Sequence, residues 1–300
     1  MDLPLPTAPA ACLHAVSAAA SLPAFTLAQP AEQTVPLVFA SAHSGRNYEA
    51  AFVSSVRLDP VALRRSEDSF VDELFSAAPA HGAPLLAATF PRAFCDANRE
   101  AWELDPAMFE EALPDWVNTS SPRVGAGLGT IARVVASGEA IYRGKLRFAE
   151  AEARIEGFWQ PYHTALEAAI AATRRAFGAC LLIDCHSMPG GCMSPQPQAD
   201  IVLGDAHGTA CTPLAVRAVE QCLVDLGFTV RRNDPYAGGY VTRHYGRPRE
   251  GVHALHIEIT RSLYMDEARI ERLPDFAGMR GRITALIAGL AGDIASLGLT

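Results

Sequence analysis

The chain has 300 residues, 49% of them hydrophobic and 19% charged, and carries a formal net charge of −8. That length holds one large α/β domain or two small ones. The acidic balance argues against a nonspecific grip on nucleic acid or acidic lipid, and no apolar run approaches the roughly 18 residues that span a bilayer.

No Lys or Arg precedes Arg46, so the basic start of a secretory signal is missing. The seven cysteines follow no regular spacing and form no CxxC. That pattern fits a reducing compartment, and a cytoplasmic location is expected.

In chain order, residues 1–30 are rich in Ala and Pro and read as a loose extension. Order is expected from the apolar run PLVFASA (36–42), a strand ended by His43-Ser44-Gly45. Asp59-Pro60 opens a helix, and Ser66 is expected to cap another, EDSFVDELFSAA, with a stripe of Phe70, Leu74 and Phe75. PLLAATF (84–90) and AFCDA (93–97) read as strands, and 100–125 as a long loop. A helical pattern runs from Leu146 to Phe177, interrupted at Pro161 and closed by Gly178. Strands follow at 179–185 and 199–204, then a helix from Pro213 to Leu226 and the strand FTVRR. PYAGGYVTRHYG (235–246) reads as a loop or irregular hairpin. VHALHIEIT (252–260) alternates strictly, as a strand does, and an amphipathic helix covers Pro274 to Leu297. Strands alternating with helices specify an α/β fold with a mixed, mostly parallel central sheet flanked by helices.

Three strand ends carry chemistry. His43 follows the first apolar strand, His186 ends LLIDCH, and Glu258 lies near the end of VHALHIEIT. Ligands of open α/β sheets bind beyond the carboxyl ends of strands, so the three can converge. The period of two puts Asp184 with His186 and His256 with Glu258 on one face, a costly place for carboxylates unless they are paired or near a metal. Small residues after each histidine, Ser44-Gly45 and Ser187 to Gly191, leave an approach to the imidazole. A catalytic zinc takes three protein ligands from His and carboxylate. Glu67 and Asp68 are the nearest acidic candidates, with Asp72 and Glu73 in the same stretch. Glu258 would serve as general base. The sequence has no GxSxG, HExxH, P-loop or strand-following GxGxxG, and GAGLG (125–129) lacks a clear helix-opening context.

Nine blocks occur in order: SAHSGRNY, SEDSFVDELF, DANR, GTIARV, PYH, LLIDCHSMP, DIVLG, GGYVTRHYG and HIEITRSLYMD. Together they resemble the N-formylglutamate amidohydrolase (formylglutamate deformylase) family of histidine breakdown, from about Phe25 to the C-terminus. The resemblance implies a single catalytic domain over 25–300, preceded by a poorly structured 1–24, with a zinc-carboxypeptidase-like fold related also to the aspartoacylases. It implies Zn2+, or another divalent metal, held by His43, His186 and an acid. The wider superfamily places a glutamate three residues after its first histidine. Arg46 stands there in this chain, so the role passes to Asp68, with Glu67 as the alternative. By the same resemblance Asn98, Arg99, Arg133, Tyr240 and Arg243 would contact substrate, and Glu258 would be the base. Asp184 could orient a histidine ligand or serve a buried structural role, and His163, His244 and His256 read as structural or pocket-lining. The implied reaction is hydrolysis of the formamide bond of N-formyl-L-glutamate. The rivals are a related metal hydrolase of another N-acyl amino acid or peptide end, and a non-catalytic binder of the same fold. The expected partner is a small N-acyl amino acid, not nucleic acid or a membrane.

Overall fold

Short runs of Leu, Val, Ile and Ala form one seven-stranded sheet: β1 (Phe25–Ala28), β2 (Leu37–Ser41), β3 (Leu85–Ala88), β4 (Cys180–Met188), β5 (Ile201–Gly204), β6 (Val230–Arg232) and β7 (Val252–Thr260). A computed structural model describes residues 23–191 and 198–299. Nearly all of the expected 1–24 extension, with Cys12 and Cys192, lies outside the described residues. The strand order is β1-β3-β2-β4-β7-β5-β6. Strands β3, β2, β4 and β7 run parallel, β1 is antiparallel on one edge, and β5 with β6 runs antiparallel to β7. The mixed, mostly parallel α/β architecture expected from the sequence is the one observed.

Both faces are covered, which is why the central strands are buried along their whole length. One face carries Leu181, Ile183 and Cys185 of β4 and Leu255, Ile257 and Ile259 of β7, packed on the helices Pro213–Asp225 and Phe276–Gly292. The opposite face begins apolar, with Cys180 and Leu182 beside Val252 and Ala254, under the helix Gln160–Phe177. Further along, the same face turns polar. Asp184 stands opposite His256, and His186 opposite Glu258. The site grows from this change of polarity on one continuous surface.

Several elements differ from expectation. Phe25–Ala28, within the 1–30 stretch whose composition reads as loose but at the start of the domain that the resemblance implies, is a strand that completes the sheet by pairing with β3. β4 does not stop at His186 but continues to Met188 alongside β7. AFCDA is a turn rather than a strand. Its Asp96 side chain accepts from the Asn98 backbone and from Arg92, contacts that hold a turn. The helix expected from Ser66 shrinks to Val71–Leu74. Glu67 and Asp68 are instead held by tertiary partners, and Phe70 turns the chain with φ of +68°. In PYAGGYVTRHYG, Tyr240–Tyr245 is a short helix, not a hairpin. Before Pro161, which has no N–H to give, the helical path widens to a π turn at Ile155–Trp159.

His163 ties three pieces of this architecture together. It lies on the helix Gln160–Phe177, donates from Nε2 to the Ala97 carbonyl at 2.8 Å, and accepts at Nδ1 from the Tyr245 hydroxyl at 2.8 Å. Burial pulls its pKa down to about 4, against a smaller rise from the Ala97 carbonyl. The folded state therefore refuses a proton that the unfolded chain accepts below about pH 6.5. Its contribution to stability is complete above that pH and is lost as pH falls toward 4. Urea denaturation at stepped pH should show wild type losing stability relative to His163→Gln across this window, with a differential slope approaching about 1.4 kcal/mol per pH unit. Parallel pH dependence of the two proteins would contradict the assignment.

Candidate active site

Three buried groups face one another at the carboxyl ends of β2 and β4: His43, Asp68 and His186, each offering a nitrogen or oxygen within 4.8 Å of the others. Asp68 Oδ2 lies 2.9 Å from His186 Nδ1 and 3.4 Å from His43 Nδ1. The outer nitrogens are held by other carboxylates. His43 Nε2 is 2.7 Å from Asp96 Oδ1, and His186 Nε2 is 2.7 Å from Asp184 Oδ1. An ionised carboxylate can only accept, so each Nε2 carries a proton, and without a metal His186 Nδ1 also donates, to Asp68. A bound cation would replace that Nδ1 proton while the carboxylates keep the Nε2 protons. The Asn98 amide, 3.2 Å from His186 Nε2, cannot also donate to a nitrogen that is itself donating. Asp184 therefore fixes that tautomer, and Asn98 is anchored by the Val241 N–H donating to its Oδ1 at 2.8 Å.

The second oxygen of Asp68 is fixed too. Arg261 donates to Oδ1 at 2.9 Å and Ser187 at 3.2 Å. Burial alone would raise the Asp68 pKa, but His186 and His43 outweigh it and hold the carboxyl well below the usual range. For Asp96 the opposing charges are Arg92 first, then His43. Burial also opposes charge on His186, yet Asp184 and then Asp68 push it well above the ordinary histidine range. So many acids around two imidazoles favour added positive charge.

The donor set fits a divalent metal ion. Two imidazole nitrogens, freed of any proton on binding, and a carboxylate oxygen match the three protein ligands of a catalytic zinc site, whose tetrahedral bonds of about 2.1 Å place ligand atoms roughly 3.4 Å apart. His43 Nδ1 is buried and has no hydrogen-bond partner among the described residues, as a ligand atom would be before binding. A carboxylate behind each imidazole is also the usual support for metal-binding histidines. A second cluster, Asp184, His186 and His256, has comparable spacing. It is already satisfied as a hydrogen-bond chain, because Asp184 accepts from both rings and from Thr242.

Local sequence explains the placement. Gly45 is required because a Cβ there would strike the Phe90 carbonyl. The small residue after His43 thus serves close backbone packing, not only an open approach to the imidazole. Gly239 lies against the Asn98 side chain, which any Cβ would strike. The backbone N–H of Asp68 donates to the His43 carbonyl at 2.9 Å, so ligand and loop are tied by the main chain as well.

A cavity of about 480 Å³ opens beside these groups, lined by His43, Asn98, Arg99, His186, Arg243, His256 and Glu258 among others. Glu258 Oε1 is 2.8 Å from His256 Nε2, while Oε2 is buried without a partner among the described residues. Three expected residues lie elsewhere. Glu67 is consumed by Arg64, Tyr48 and Ser69 and does not face the histidines. Arg133 pairs with Asp105 at 2.8 Å and packs over Gly127, outside the cavity lining. Tyr240 stacks on His244 and packs on Trp159 and His163, also off the cavity wall, because its segment is helical and turns the ring outward from it.

The residues that sequence reasoning missed are mostly supporting ones. Arg123 and Arg261 line the cavity, and Asp96 backs His43. Asp96 stands two residues before Asn98 in DANR, and Arg261 three after Glu258, but neither spacing reveals its partner. Arg92 and Arg261 are neutralised by Asp96 and Asp68. Arg99 donates to the Leu128 and Asn98 carbonyls and Arg243 to the Gly238 carbonyl. The nearest carboxylate to Arg99 is Asp96, at 3.9 Å, and Arg123 and Arg243 form no ion pair among the described residues. Burial pulls Arg99 down to about 10, and neighbouring Arg92 and Arg123 oppose its charge further, although it remains cationic at neutral pH. One part of the cavity is thus a region of positive charge short of counter-ions.

The family model for N-formylglutamate amidohydrolase matches residues 35–265. Among curated proteins, the N-formylglutamate deformylase of Pseudomonas aeruginosa is 30% identical over 242 residues, covering 78% of this chain and 83% of the relative. The deformylase of Pseudomonas putida is 28% identical over 238 residues, with the same coverage. Among solved structures, N-formylglutamate amidohydrolase from Ralstonia eutropha JMP134 superposes with a TM-score of 0.85 at 41% identity, covering 90% of this chain and 98% of that one.

The supporting carboxylates should be measurable in metal affinity. Asp96→Asn is expected to weaken zinc binding by about 10- to 100-fold in competition with a chromogenic chelator. His186→Ala should abolish stoichiometric uptake, and Glu67→Gln should leave the stoichiometry unchanged. Loss of the metal in Glu67→Gln with retention in His186→Ala would reverse the assignment.

Proposed function

This chain belongs to the N-formylglutamate amidohydrolase family, and on that premise we propose that it hydrolyses N-formyl-L-glutamate to formate and L-glutamate in histidine degradation. His43, Asp68 and His186 would hold zinc or another divalent cation. When bound, that cation supplies a Lewis acid for the formyl oxygen and lowers the pKa of a water toward about 7.

The chain's own residues do the rest. Glu258 takes the proton of the attacking water on Oε2 and returns it to the amide nitrogen as the C–N bond breaks, so that glutamate leaves as an amine. The observation that carries the substrate is the under-neutralised trio Arg99, Arg123 and Arg243 lining the same cavity. N-formylglutamate brings two carboxylates, and guanidinium groups bind carboxylates through paired, charge-assisted hydrogen bonds. Arg99 is already held by two backbone carbonyls, so little side-chain freedom is lost when it binds. Asn98, fixed by the Val241 N–H, adds a polar contact beside it. A neutral N-formyl amino acid would leave part of this positive region unpaired, which is how the site would discriminate.

Release of the free amino acid from purified protein, read with an amine reagent, tests the reading. N-formyl-L-glutamate is expected to be turned over faster than N-formyl-L-glutamine or N-acetyl-L-glutamate, and activity should vanish with chelator and return with zinc. Arg243→Ala should raise KM for the dicarboxylate and narrow its advantage over the glutamine analogue. Glu258→Gln should keep its metal and lose about 100-fold or more in kcat. Faster turnover of the acetyl substrate would move the activity to another N-acyl amino acid, and full turnover by Glu258→Gln would remove Glu258 as the base.

A further inference from the structure

His256 takes part in none of these steps, yet it is buried at the centre of the site. Its ring packs against that of His186 with centroids 4.4 Å apart. Nδ1 lies 3.1 Å from Asp184 Oδ2 and Nε2 lies 2.8 Å from Glu258 Oε1. Asp184 is itself a rigid anchor: it is fully buried, receives His186 Nε2 at 2.7 Å on Oδ1, and receives the Thr242 hydroxyl at 3.2 Å on Oδ2. The parallel register of β4 and β7 sets Asp184 directly opposite His256. A line of hydrogen bonds therefore runs from the strand interior to Glu258 and stops there, because Glu258 Oε2 has no partner among the described residues.

We propose that His256 is a positioning residue for Glu258: its Nε2–H holds one carboxylate oxygen so that the other, Oε2, is presented as the free base. This inference rests on the assignment of Glu258 made above. A glutamate side chain with both oxygens unheld would sample several rotamers, and a base displaced by an ångström loses much of its effect. Glu258 is confined at one oxygen only. The anchor at the far end of His256 is a carboxylate that cannot move without also releasing His186.

Two substitutions separate positioning from general structural support. The amide nitrogen of glutamine reaches about where ring Nε2 lies, and that of asparagine about where Nδ1 lies. His256→Gln thus keeps the donor to Glu258, and His256→Asn keeps only the donor to Asp184. With zinc-loaded protein and N-formyl-L-glutamate, His256→Asn should lose about 100-fold in kcat with KM little changed, while His256→Gln recovers most of that loss. Zinc stoichiometry, read independently of activity, should stay the same in both. Equal kcat in the two variants, a loss confined to KM, or loss of zinc from either would overturn the proposal.

Glu258→Gln is run beside them. If it stays active, the base has been misassigned and the proposal falls with it. If it is inactive while the two His256 variants behave alike, only the positioning role is refuted. Should His256→Asn not fold, His256→Gln carries the test alone: kcat within about tenfold of wild type with zinc retained is expected, and a loss of about 100-fold in kcat would overturn the proposal.

Discussion

The pairing of β4 with β7 is the constraint on which the rest of the molecule depends. In this register Asp184 faces His256 and His186 faces Glu258. A slip of one residue would exchange the two faces of a strand and bury Glu258 among the isoleucines and leucines that now fill the other side. The same alternation that packs Leu181, Ile183, Leu255 and Ile257 into one core therefore delivers the polar quartet to the opposite face. Stability and site geometry are set by one hydrogen-bond ladder.

Within that frame the electrostatics are one-sided. Asp68, Asp96 and Asp184 surround two imidazoles, and Arg92 and Arg261 neutralise the acids from behind. Burying so many ionised groups is costly unless each is paired. Nearly every oxygen of these acids is paired here. Of the five buried side-chain atoms without a hydrogen-bond partner among the described residues, two, His43 Nδ1 and Glu258 Oε2, belong to the groups assigned to metal and proton chemistry.

How far the sequence could be read follows from how local each signal is. Strands β2, β4 and β7 announce themselves through apolar runs and alternation, so their ends, with His43, His186 and Glu258, were legible. The acidic partner was narrowed to two adjacent residues, because sequence cannot show that Arg64, Tyr48 and Ser69 occupy Glu67 while Arg261 and Ser187 orient Asp68. The expected helix start at Ser66 failed for the same reason, since those contacts hold 66–70 in turns that end in a left-handed Phe70, against local helix propensity. Arg133 looked like a substrate contact and is a structural ion pair. Arg123, on an exposed four-residue helix, carried no pattern at all. His256 was visible as a neighbour of Glu258 on the same strand face, but its link to Asp184 exists only across the sheet.

The central claim is that His43 and His186 turn their Nδ1 atoms, with Asp68, toward one divalent cation. Anomalous diffraction at the zinc edge from crystals of the metal-loaded protein tests it most directly. The account predicts a single peak within bonding distance of both Nδ1 atoms and an Asp68 oxygen, with Asp96 and Asp184 still bound to the Nε2 atoms. A peak seated between Asp184, His186 and His256 instead, or coordination through either Nε2, would contradict it.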